Sequence, residues 1–346
     1  MPALISVAVL APACSSDAVR ALEGAGPINV AHVDLGAVCP SIFIGGDDYP
    51  VALCTRITDL RPVDFLLDPE AGSPRAPIEL TAGNLFGGVY GYLDDNDRLV
   101  LVDGTSDLVR IGHRRGEQGW SLEIDERVPL AASILPGDTV TSVSPDYHGD
   151  VWLATGGGTI GAVDTAGGWV NVRALPAGER VSNSISTAPE GNGGGYRPRG
   201  QSRRPGTRWT APRALAPAHG RGPARKPGQL SWGTGSTPTF FGPTNGSDCN
   251  VVWESTVRSA AVPKLSTADG TITTVTRQAA AAGSTSEPDM LSYAVISAPT
   301  GELLTEQDLG AMVADPLQLA GTIGPGRGLY QGTVGAILRI SVGPES

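Results

Sequence analysis

Residues 144–165 read Ser-Pro-Asp-Tyr-His-Gly-Asp-Val-Trp-Leu-Ala-Thr-Gly-Gly-Gly-Thr-Ile-Gly-Ala-Val-Asp-Thr, and this unit constrains the fold most. A polar turn leads into an extended run, Val151–Thr155. A Gly-rich turn follows, then a second run, Thr159–Val163, closed by Asp164. Short runs of apolar and β-branched residues bounded by Asp, Asn and Gly are what an antiparallel hairpin requires. Variants of the unit recur. One covers Leu85–Val109 and turns at Asp94–Asp97; the opening unit itself sits within Thr139–Val172. Two come late: Ser259–Arg277, turning at Asp269-Gly270, and Leu291–Leu304 running on to Leu317–Ile340. Ile28–Ile44 and Val51–Leu67 make the first extended runs.

A hairpin this short cannot bury its own apolar face, so a series of them must stack. The expectation is an all-β chain, a β-propeller of about six to seven blades, some incomplete, at about 40–50 residues per blade. Composition agrees. Gly (47) and Pro (28) are both abundant in the 346 residues, as many tight turns require. Only Ser15–Glu23 and Glu306–Val313 offer a helical pattern, and Gly310 breaks the second.

The formal charge of −10 argues against a nucleic-acid backbone as partner, since that needs a Lys/Arg surface. Nine of the 25 basic residues fall between Arg197 and Lys226, so the remainder is more acidic still. Residues 192–228, rich in Arg, Pro and Gly, contain no Val, Ile, Phe or Met. Such a segment cannot offset its ordering entropy by burial. It reads as a disordered basic linker or, the reading favoured here, as a gene-level frameshift, since Arg/Pro/Gly/Ala-rich text is what a GC-rich gene gives when read out of frame. The organisation expected is therefore a leader over 1–16, N-terminal blades over 17–191, the insertion over 192–228, and C-terminal blades over 229–346.

Ala3–Ala13 is an apolar run too short to span a bilayer. It ends in Ala11-Pro12-Ala13 and is followed by Cys14, which resembles the end of a secretory signal of the lipoprotein kind, with Cys14 as the lipidated residue. Membrane attachment is expected only through that anchor, and the location secreted or bound to the cell envelope. Cys39 and Cys54 bracket two short extended runs joined through Gly45-Gly46-Asp47-Asp48, and a disulfide between them suits an exported protein. Cys249 is left without an obvious partner. The spacings match no zinc pattern.

Ser292–Leu304 contains Ser297-Ala298-Pro299-Thr300-Gly301-Glu302, which resembles the repeat of the quinoprotein-like (pyrroloquinoline-quinone-type) propellers, where a strand ends in Asp-Ala-x-Thr-Gly-Lys and a docking Trp follows. Thr300 and Gly301 match. Ser297, Glu302 and Thr305 stand where Asp, Lys and Trp are expected. Ala162-Val163-Asp164 with Gly168 is a second partial match, with Val172 at the docking position. The resemblance implies the fold and supplies no quinone clamp. Ser231–Thr239, Arg258–Pro263 and Leu317–Tyr330 also resemble exported actinobacterial propellers without an assigned activity.

Few residues suggest chemistry. Trp232, Thr234 and Ser236 sit in a polar, flexible, aromatic stretch suited to a channel mouth. An EF-hand starting at Asp94 would need Gly and Glu where Leu99 and Thr105 stand, so Asp94–Asp97 reads as a turn. His148, between Asp146 and Asp150, has no nucleophile motif beside it. Gly156-Gly157-Gly158 joins two strands and is no phosphate loop. No catalytic, cofactor or metal residue is legible. The expectation is a binding or scaffold propeller of the envelope for a small molecule or protein. The alternatives are a propeller enzyme, quinoprotein-type dehydrogenase or lactonase-type hydrolase, and an impaired product of a frameshifted gene.

Overall fold

In a computed structural model, the described residues are 28–83, 90–146, 149–164, 169–175, 181, 185, 253, 255–257, 259–266, 270–278, 290–311, 316, 319–324 and 328–342. Cys14, Ser15–Glu23, His148, residues 192–228, Trp232, Thr234, Ser236 and Cys249 lie outside them, as do the expectations placed there.

The described residues form strands and no helix. Blade one is β2 (Ala37–Ile44), β3 (Pro50–Arg56), β4 (Pro62–Leu67) and β5 (Pro74–Glu79). Blade two is β6 (Gly91–Leu93), β7 (Leu99–Val102), β8 (Asp107–Gly116) and β9 (Gly119–Pro129). Blade three is β10 (Val140–Pro145), β11 (Val151–Thr155), β12 (Thr159–Asp164) and β13 (Trp169–Ala174). The penultimate blade is β14 (Lys264–Ser266), β15 (Thr271–Gln278), β16 (Met290–Ser297) and β17 (Leu303–Ala311). The closing blade takes β18 (Gly321–Ile323), β19 (Leu329–Gly332) and β20 (Ala336–Val342), and its outer strand is β1 (Ile28–Asp34). All pairings within the sheets are antiparallel.

Side-chain alternation explains why the sheets stack. In β7, Leu99 and Leu101 face blade one, where they meet Phe43, Val51, Leu53 and Leu66. Val100 and Val102 face blade three and meet Val140, Val143, Val151 and Leu153. A strand covered on both faces reads as a continuous apolar run, and Leu-Val-Leu-Val is that run. Tyr330 and Ile337 of the closing blade pack against Ala37, Ile42 and Leu67. Leu329 and Ile340 pack against Val275, Tyr293 and Val295 of the penultimate blade. The first strands of neighbouring sheets also approach one another: β18 against β2, β2 against β6, β6 against β10, and β14 against β18. Sheets stacked face to face with their first strands inward are blades of a β-propeller.

β1 closes the ring. It pairs with β20 from Ile28↔Val342 to Asp34↔Ala336, so the start of the described chain completes the sheet that ends it. The sequence reading had Ile28–Ile44 as one run. The structure divides it at Gly36, whose φ of +59° turns the chain out of the closing blade and into blade one.

Two other readings are corrected. Ser259–Arg277 and Leu291–Leu304 are halves of one sheet, joined by the β15–β16 ladder. The helical candidate Glu306–Val313 contributes Glu306–Ala311 to β17: pairing with β16 supplies its backbone hydrogen bonds, and Thr276 Oγ1 donates to Glu306 Oε1 at 2.9 Å.

Candidate functional site

The expected disulfide is present. Cys39 of β2 and Cys54 of β3 are bonded, with Cα atoms 4.0 Å apart across a bulge in the ladder. Both are buried, so the bond is a structural staple. The turns singled out in sequence are likewise structural. Asp94 Oδ1 accepts from the Asn96 and Arg98 N–H groups at 3.0 and 3.1 Å, while Oδ2 takes Arg98 and Arg110. Burial opposes ionisation of Asp94, but these donors outweigh it and hold the carboxyl below its ordinary range. Asp146 accepts from Asp150 N at 3.1 Å and Trp152 Nε1 at 3.1 Å. At the glycine triplet, Thr155 Oγ1 accepts from Thr159 N at 2.9 Å. These groups are committed to the fold.

A different set converges. A cleft of about 300 Å³ opens between blades one and two, lined by Asp47, Asn96, Asp97, Arg98, Gly112, His113, Arg114 and Asp125. Asp47 lies in the β2–β3 turn, Asn96, Asp97 and Arg98 in the β6–β7 turn, and the remainder on β8 and β9. Two neighbouring hairpin tips therefore meet there. Asp97 accepts the Gly46 N–H with both oxygens, at 3.1 and 3.0 Å. The approach needs glycine beside it: a Cβ on Gly45 would stand 2.5 Å from Asp97 Cγ.

Charges in the cleft are mixed. Arg114 donates to Glu123 at 2.7 Å and Asp125 at 2.6 Å. Arg98 pairs with Asp94 at 2.8 Å. His113, its side chain only 9% exposed, bonds through Nε2 to Asp47, and its Nδ1 is buried with no partner among the described residues. Next to it, Tyr49 and Trp120 pack at a tilt of 45° with centroids 4.4 Å apart; Trp120 lies 5.8 Å from the His113 ring, and both aromatics are half-buried. No group of three His, Cys, Asp or Glu side chains suited to a metal ion occurs among the described residues.

The innermost strands are different in kind. β2, β6, β10, β14 and β18 contain no Asp, Glu, His or Asn, and their one ionisable side chain besides cysteine and tyrosine is Lys264. Burial lowers the Lys264 amine to about 8.

Sequence reasoning missed His113, Asp47 and Asp125. Each is an ordinary strand or turn residue in its own segment, and nothing in their spacing links them. Asp97 was legible as part of a polar turn, but its approach to Gly46 was not.

No family model matches the chain, and no curated protein matches it. Solved structures do. The β-propeller domain of Cps50 (Swd1) from Myceliophteria thermophila is 9% identical, with 92% of this chain and 100% of that chain covered and a TM-score of 0.38. A streptogramin B lyase is 14% identical, covering 91% and 98%, TM-score 0.39. The WD40 domain of SCAP from fission yeast is 11% identical, covering 89% and 85%, TM-score 0.31. The propeller assignment rests on the stacked four-stranded sheets and their closure.

Proposed function

We propose that this chain is an exported binding propeller of the cell envelope, with its ligand in the cleft between blades one and two. A propeller accommodates binding, scaffolding and catalysis alike, so the reading rests on the site. One observation carries it: the convergent polar side chains lie between two blades, while the five described innermost strands, which border the axis, bring no carboxylate, Asn or His. A quinoprotein-type dehydrogenase or lactonase-type hydrolase would need such groups at the axis. The Cys39–Cys54 disulfide supports an oxidising compartment. The signal-like text ending at Cys14 supports export and a lipid anchor.

The His113–Asp47 pair is what favours an enzyme, because a carboxylate-oriented imidazole is a common general base. Here Nε2 faces Asp47 and Nδ1 is buried, so neither nitrogen meets a substrate. Binding is the better reading.

The test is a thermal-shift screen of the full chain against chemically diverse small molecules, run in parallel on Asp97→Asn and Arg114→Gln. Ligands that raise the Tm of the wild type only, and are recovered unchanged, support the proposal. Recovery of a chemically altered ligand replaces it with the enzyme reading. A screen in which no ligand depends on Asp97 or Arg114 overturns the cleft as the site.

A further inference from the structure

Resting on the binding reading, we infer that the cleft takes an uncharged polyhydroxylated ligand, a saccharide of one or two rings. The argument starts from charge. An anion would meet Asp47, Asp97 and Asp125 at close range. Neither Asp47 nor Asp97 is neutralised by a Lys or Arg among the described residues: Asp97 holds only the Gly46 N–H, and Asp47 the Tyr49 N–H and His113. The guanidinium groups of Arg98 and Arg114 share the lining, each paired with carboxylates, so the cleft presents both signs of charge side by side. A bare metal ion needs several anionic ligands at one point, and no such group occurs among the described residues. A hydroxyl suits this surface because it both donates and accepts. It can give its proton to Asp47 or Asp97 and take one from Arg114.

Size and shape agree. About 300 Å³ is at the small end of ligand sites, enough for one or two sugar rings. Carboxylates and guanidinium groups held by neighbours present directional partners without losing much side-chain freedom on binding. Arg114 is held by Glu123 and Asp125, and Arg98 by Asp94.

The experiment is isothermal titration of the full chain with maltose, cellobiose, lactose and N,N′-diacetylchitobiose, with spermidine and inorganic phosphate as ionic probes. We expect at least one disaccharide to bind with little dependence on salt. Asp97→Asn and Arg114→Gln should each weaken it at least tenfold, while Glu302→Gln, far along the sequence on another blade, leaves it unchanged. Asp97→Glu, which keeps the carboxylate, should restore part of the loss and guards against a folding defect in the asparagine variant. Absence of disaccharide binding, equal binding by the variants, or spermidine or phosphate binding in the cleft overturns the inference. If the broader screen finds a cleft-dependent ligand that is not a saccharide, this inference fails and the binding reading stands. If it finds none, both fail.

Discussion

Trp253 occupies the space that a side chain on Gly301 would need. A Cβ at Gly301 would lie 2.6 Å from Trp253 Cδ2, and the indole N–H donates to the Ala298 carbonyl at 2.7 Å. The quinoprotein-like repeat suggested a docking tryptophan after this turn, at Thr305. The turn does receive a tryptophan, but from Trp253, ahead of the whole sheet in the chain. Gly301 also has φ +73°, where a side chain is strained. Gly301→Ala should therefore destabilise the chain by about 2 kcal/mol or more, from strain and overpacking together. Trp253→Phe should cost about 1 kcal/mol for the lost hydrogen bond. Denaturant midpoints of the two variants check both; an alanine variant as stable as wild type would remove the docking account.

Deleting residues up to Asp34 should abolish cooperative folding. β1 is the outer strand of the closing blade, and its removal leaves the β20 ladder unpaired along seven residues. Single-strand loss at a ring closure also frees the blade to open. The check is a thermal melt of the truncated chain, with an intact sharp transition as the contrary result.

Replacing Cys39 and Cys54 together by alanine should lower stability by about 3 kcal/mol, the chain-entropy value for a loop of about 15 residues. The loss should appear as a lower denaturant midpoint with a somewhat steeper slope, because the unlinked unfolded chain is less compact. Reduction of the wild type should reproduce it.

Lys264 should make stability rise in alkali. Burial lowers its amine from 10.5 to about 8 in the folded chain. Below about pH 8 both folded and unfolded chains carry the proton, and the folded chain bears the full cost of a buried charge. Between about 8 and 10.5 the folded chain sheds the proton first, so stability rises with pH. Lys264→Met should stabilise at pH 7 by on the order of 3 kcal/mol and remove that rise. Melting the two proteins from pH 7 to 10.5 tests it.

Asp64 should act in the opposite sense. It stands opposite Leu53 and Ile78, and its oxygens are buried without a hydrogen-bond partner among the described residues. Burial pushes its carboxyl well above 3.8, and the nearby Cys54 N–H, short of hydrogen-bond geometry, only partly offsets this. A raised folded value means the folded chain holds the proton more tightly, so stability falls as pH rises from 3.8 through that value. Asp64→Asn should flatten this fall and raise the Tm at neutral pH. An unchanged pH profile would show that the carboxyl is not the cause.

The all-β class was legible because it is written locally. Leu99–Val102 and Val151–Thr155 are short, apolar on both faces and bounded by Asp and Gly, and no arrangement other than buried strands suits them. The Cys39–Cys54 bond was legible for the same reason, since the two cysteines flank one hairpin. The cleft was not, because Asp47 and His113 come from separate blades and neither segment signals the other.

The sequence by itself determined the strands, the hairpin turns and their burial, all set by neighbours a few residues apart. Tertiary structure alone decided which sheet each strand entered. It sent Ile28–Asp34 to pair with Ala336–Val342, brought Trp253 onto Gly301, and joined Asp47 to His113. Those contacts depend on closing a ring of stacked sheets, and closure is a property of how whole faces pack, which no local pattern encodes.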